Sequence, residues 1–140
     1  PFHFFYLYLI NIWESNKADF HPEETVGVIV LYRNQISAIL SIMASRLQVD
    51  EHPLLNITID TVERFQGSQR KYIIYSFTVQ REYQLRFLTE TNFIEDGQLI
   101  DRKLNVAMTR AQEYLIMIGN RVVLSKNPLY AQLIQDYLCE

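Results

Sequence analysis

Apolar residues fall in two rhythms along this chain. Val26 to Leu31 is a continuous run rich in valine and isoleucine, the pattern of a strand buried on both faces, as in a parallel sheet. Ile36, Ile39, Leu40, Met43 and Leu47 then recur at helical spacing and make one apolar stripe. Pro53 breaks that pattern. Ile57 to Thr61 and Tyr72 to Val79 read as a second and a third strand, joined by a loop or short helix. Arg81 to Gln98 is polar and without a period, an irregular excursion with Gly97 in a turn. Ile100, Leu104, Ala107, Met108 and Ala111 define another amphipathic helix. Tyr114 to Ile118 is the following strand, stopped by Gly119-Asn120, and Pro128 to Leu138 is a closing helix with proline near its first turn. Strands alternating with helices predict an α/β domain of three layers, with a mainly parallel sheet covered on both faces. Val28, Val30, Ile57, Ile59, Ile74 and Ile116 are expected inside it. In such sheets ligands gather at the carboxyl ends of strands, and each segment discussed below follows a predicted strand.

The opening stretch, Pro1 to Trp13, is strongly apolar and aromatic. It is shorter than the roughly 20 residues a bilayer span needs, and it lacks the positive flank and small-residue cleavage site of a signal peptide. A core helix is predicted there, with part of its aromatic surface (Phe2, Phe4, Phe5, Tyr6, Tyr8, Trp13) turned to a neighbouring domain. Residues 1–25 form this helix and a polar lead-in to a single domain over residues 1–140. A 49% hydrophobic, 21% charged composition is that of a globular domain, not a disordered chain. Cys139 is the only cysteine, which excludes a disulfide framework and a cysteine metal cage and fits a reducing cytoplasm. His3, His21 and His52 show no ligand spacing, so no metal site is expected. Net charge is −3 and does not by itself announce a nucleic-acid binder. Its distribution is uneven: residues 1–60 carry three basic and seven acidic side chains, residues 61–130 ten basic and seven acidic. The second half is thus locally basic, as a phosphate-facing surface or a mixed solvated one would be.

Three segments carry candidate chemistry. In Thr61-Val62-Glu63-Arg64-Phe65-Gln66-Gly67-Ser68-Gln69, Thr61 can cap a following turn or donate its hydroxyl to a phosphate. Gly67 allows close approach of backbone to a ligand, or supplies a turn. In Arg102 to Ala111, Leu104, Ala107, Met108 and Ala111 share the face expected to be buried, and Lys103 and Arg110 lie along one flank of it. An arginine there either reaches across an interface with its stem packed or sits in a surface salt bridge. Tyr32-Arg33-Asn34-Gln35 follows the first strand and combines an aromatic ring, a guanidinium and amides. That set suits stacking on bases and bonding to phosphates, and equally suits the opening of a helix.

Together and in order, these segments resemble the C-terminal RecA-like motor domain of superfamily one helicases, in the branch of the nonsense-mediated-decay helicase and the replication helicase-nuclease. Val28–Gln35 looks like helicase motif IV, Ile59–Gln69 like motif V, and Leu104–Ala111 like motif VI. The spaced Phe-Gln-Gly and Asn-Val-Ala-Met-Thr-Arg-Ala blocks are specific, and the resemblance covers roughly residues 26–135. It implies an ATP-dependent helicase in which ATP and Mg2+ are held mainly by an N-terminal motor domain of the same protein. Arg110 is implied as the catalytic arginine finger, and Gln66, Gly67 and Gln69 as nucleotide-binding. Tyr32, Arg33, Gln35, Thr61 and Arg64 are implied as contacts to single-stranded DNA or RNA. Gln69 stands where the family usually has glutamate, Glu63 where it often has aspartate, Leu31 where proline is common and Gln112 where many members have a second arginine. No G-x-x-x-x-G-K-[ST] phosphate loop is present, so the chain alone is expected to be inactive. An alternative implication is a RecA-like interaction module for nucleic acid or protein with no catalytic role.

Overall fold

The computed structural model describes residues 2–47, 51–65, 69–77, 82–90 and 93–137. Among these described residues six helices and six strands follow in chain order: α1 (Phe2–Asn16), β1 (Val26–Val30), α2 (Asn34–Leu47), β2 (Thr58–Thr61), β3 (Arg70–Ser76), α3 (Glu82–Thr89), β4 (Phe93–Glu95), β5 (Gln98–Ile100), α4 (Arg102–Arg110), β6 (Ala111–Ile118), α5 (Arg121–Leu124) and α6 (Pro128–Tyr137). Short 3-10 turns occupy Lys17–Asp19 and Pro53–Asn56.

The main sheet has the order β2-β1-β3-β6, and every pairing in it is parallel. Because side chains alternate across a strand, the run in β1 supplies both faces. Val26, Val28 and Val30 join Ile59 and Ile74 beneath α1 and α2, where Phe5, Leu9, Ile12, Ile39 and Met43 complete one core. Ile29 joins Ile73, Tyr75 and Phe77 beneath α3 to α6, where Leu85, Leu88, Leu104, Ala107 and Tyr130 complete the other. The result is the three-layer αβα RecA-like fold.

Two features depart from expectation. Ile116 is only part-buried, because β6 is the outer strand of the sheet among the described residues and has β3 on one side only. The stretch after β3 is not irregular: it holds α3, which buries Leu85 and Leu88, and the antiparallel hairpin β4–β5. Asp96 and Gly97 form the hairpin turn, both with positive φ (51° and 78°), as a two-residue type I′ turn requires. Val79 and Leu138, the ends expected for the third strand and the last helix, lie outside the described residues. Helix α1 turns Phe5, Leu9 and Ile12 into this domain's own core, leaving Leu7 and Tyr8 partly exposed. Trp13 packs edge-on against Phe20 and His52. No helix among the described residues is long and apolar enough to cross a membrane.

Candidate active site

The parallel register gives the sheet two chemically different edges. At the carboxyl-terminal edge, β1 ends at Val30 beside Thr61 of β2 and Ser76 of β3. Tyr32, Arg33, Gln35, Thr61 and Arg64 all lie here. Connections from β1 and β3 leave toward opposite faces of the sheet, so this is also its topological switch point. Gln35 accepts at Oε1 from the backbone N–H of Leu31 (3.2 Å) and of Tyr32 (2.9 Å), shaping the turn from β1 into α2. Tyr32 is half-buried. Its phenol is pushed above the usual range by burial, and further by Tyr83 and Glu90 from the α3 side. Thr61 is buried, and its carbonyl accepts from Arg64 (3.1 Å) and Phe65 (2.7 Å), which starts the descent of the chain from this edge. Arg33 and Arg64 are exposed, and Arg64 lies 4.0 Å from Asp60.

Arg110 and Gln69 lie at the opposite, amino-terminal edge. Arg110 closes α4 and leads directly into β6, while Gln69 leads into β3, and Arg70 pairs with Ala111 in the first rung between those strands. Not every candidate segment therefore sits at the carboxyl ends: motif VI follows the small hairpin and enters the main sheet from below. Gln66 and Gly67 lie outside the described residues. From the register, Thr61 is level with Ser76, six residues beyond Arg70, so the two edges are roughly 20 Å apart. Residues 62–65 leave the one edge, and Gln69 stands at the other. Phe65 anchors the crossing. Its ring is buried over Gly27 of β1, where a Cβ would meet Phe65 Cζ at 2.7 Å. Arg70 crosses the same gap, its Nη2 donating to Thr58 Oγ1 (3.2 Å) and its guanidinium 5.5 Å from the Phe65 ring. Burial pulls the Arg70 pKa below its ordinary value.

Helix α4 holds the arginine. Asp101 caps its start, accepting from the Leu104 N–H (3.0 Å), and accepts on its other oxygen from the buried Tyr130 hydroxyl (2.5 Å). Its buried line runs Lys103, Leu104 and Ala107, and Met108 is 52% exposed, contrary to the expected stripe. The helix is rotated because the Lys103 ammonium finds Glu63 Oε1 at 3.0 Å, which lets its stem be buried. Arg110 consequently comes in with the buried line, at i+7 from Lys103. Its Nε is buried and has no hydrogen-bond partner among the described residues. A buried guanidinium N–H left unmatched is costly in a finished protein surface and is the donor chemistry a phosphoryl oxygen satisfies. Gln69 Nε2 donates to the Thr109 carbonyl at 3.0 Å. Asp101, Tyr130 and the buried state of Lys103 were missed in the sequence. The first had a signal, an aspartate one residue before a helix.

Among the described residues no group of three His, Cys, Asp or Glu is placed to hold a metal. One shallow depression at the amino-terminal edge, lined by His21, Pro22, Glu23, Glu24 and Asn56, presents two carboxylates and no lysine or arginine. It is no candidate for a phosphate.

The parallel sheet between two helical layers defines a class: RecA-like αβα domains. Comparison with known proteins narrows it. Residues 6–122 match the family model described as AAA domain. The chain is 36% identical over 112 residues to regulator of nonsense transcripts 1 of Dictyostelium discoideum, covering 80% of this chain and 8% of that protein. It is 37% identical over 106 residues to the DNA polymerase alpha-associated DNA helicase A of Saccharomyces cerevisiae (75% and 13%). To the ATP-dependent helicase NAM7 of the same yeast it is 32% identical over 111 residues (79% and 10%). The chain belongs to this AAA-domain family and is a superfamily one helicase domain of the nonsense-transcript-regulator type. It spans about a tenth of the length of these relatives.

Proposed function

We propose that this chain is the second motor domain of an ATP-dependent nucleic-acid helicase, with Arg110 as the arginine finger. The observation that carries the reading is the buried Arg110 Nε with no protein partner among the described residues, at the end of a helix rigidly set into the sheet. ATP supplies the phosphoryl group. On this reading a first motor domain holds it, with Mg2+, through a phosphate loop that this sequence does not contain. Arg110 closes over the γ-phosphate and neutralises the charge that spreads over its oxygens in the transition state. Tyr32, Arg33 and Arg64, at the far edge, face single-stranded DNA or RNA through backbone-directed, salt-sensitive contacts. On this reading motif V links the two sites along the sequence.

The test is steady-state ATPase activity of the full-length protein with saturating single strand. Arg110→Ala should lower kcat by on the order of 10³–10⁵, about 4–7 kcal/mol of barrier, with little change in nucleotide affinity, because the contact belongs to the transition state. Arg110→Lys should recover little, since a point charge lacks the planar fork. A kcat within about threefold of wild type in Arg110→Ala is what a surface arginine would give, and it would overturn the reading.

A further inference from the structure

Helix α4 ends unusually. Its last residue, Arg110, is followed at once by the first residue of β6, so there is no room for the left-handed glycine that closes many helices. The carbonyls of its last turn need donors from elsewhere. The Ala111 N–H reaches the Met108 carbonyl and the Thr109 hydroxyl donates to Val106 (2.9 Å). The Thr109 carbonyl, one peptide bond before the arginine, receives the Gln69 side chain (3.0 Å). A carbonyl only accepts, so the amide nitrogen of Gln69 must face it. A glutamate at position 69 is isosteric but at neutral pH has no proton to give.

We propose that Gln69 is a positioning residue for Arg110: from the position just before β3 it caps α4 and fixes the peptide from which the arginine projects. This rests on the reading of Arg110 as the finger. It differs from the nucleotide contact implied for position 69: here the amide nitrogen is engaged within the protein. Gln69 also completes a two-point attachment. Glu63 binds Lys103 in the first turn of α4 and Gln69 binds Thr109 in the last, so the crossover segment grips the helix at both ends.

Gln69→Glu and Gln69→Ala in the full-length protein, each alone and combined with Arg110→Ala, test this. Expected is a fall in kcat of about three- to tenfold for both single variants, the worth of one neutral hydrogen bond, with KM for ATP unchanged. Neither variant should lower kcat further once Arg110 is alanine, since Gln69 acts only through it. A ribose-contacting residue would behave otherwise: Gln69→Ala would raise KM, and Gln69→Glu, a good acceptor for a hydroxyl, would hold or lower it. That pattern overturns the proposal, as does a Gln69 effect that multiplies with Arg110→Ala, and in both cases an impaired Arg110→Ala leaves the finger standing. If Arg110→Ala itself turns over normally, the finger falls and this inference with it.

Discussion

At Gly27 an added methyl group has nowhere to go. Its Cβ would stand 2.7 Å from Phe65 Cζ, 3.1 Å from Cε2 and 3.2 Å from Arg70 Cγ, and the ring is buried with the Arg70 guanidinium 5.5 Å from its centre. Gly27→Ala should cost about 1–3 kcal/mol, measured as a lowered denaturant midpoint, and Gly27→Ala with Phe65→Leu should recover part of it. Sequence alone did not show this glycine's role, because it sits in a valine-rich run that reads as strand whichever residue interrupts it. The burial of Val28, Val30, Ile59 and Ile74 was legible for the same reason: a continuous apolar run has no solvent face to choose. Met108 and Ile116 were not. Their exposure depends on which neighbour α4 and β6 lack or gain, a matter of tertiary pairing.

The cap of α4 serves two masters. Asp101 is buried and accepts from both the Leu104 N–H and the Tyr130 hydroxyl. Asp101→Ala removes the cap and leaves a buried phenol unmatched, and should destabilise by about 2–4 kcal/mol. Asp101→Asn keeps an oxygen for the Leu104 N–H and turns an amide N–H toward the phenol oxygen, which can accept it, and should cost less. Thermal unfolding of the two variants side by side checks the order. The helix was legible from its spacing; its phase was not, because a lysine at position 103 reads as solvent-facing until Glu63 is seen beside it. The hairpin β4–β5 was legible in principle. Asp96-Gly97 is the strongest short hairpin signal, and it went unread because its flanking strands are only three residues long.

For the whole molecule, the tyrosines set an alkaline limit. Tyr75 and Tyr130 lie in the core over α4, and burial, then the charge of Asp101, pushes both phenols far above the usual value of 10.0. Below pH 10 both states of the chain keep these protons and the contribution to stability is constant. Above it the unfolded chain releases protons that the folded chain retains, so stability falls as pH rises, by about 1.4 kcal/mol per pH unit for each tyrosine. Unfolding free energies should be level up to about pH 9 and approach this slope by about pH 11, and Tyr130→Phe should lessen it. The layer order and parallel sheet were readable from alternation of elements. The separation of motif VI from the carboxyl-terminal edge was not, since it follows from register, which a single strand's sequence does not carry.

The gap over β1 also bears on how this domain can diverge. Phe65 and Gly27 occupy one volume between them, so a lineage cannot enlarge one without shrinking the other. Among relatives the two positions should therefore vary as a pair, with a smaller side chain at 65 wherever a Cβ stands at 27. A survey that finds bulky rings over alanine or serine there would mean that the crossover can lift off the strand, and that its path in this chain is one choice among several.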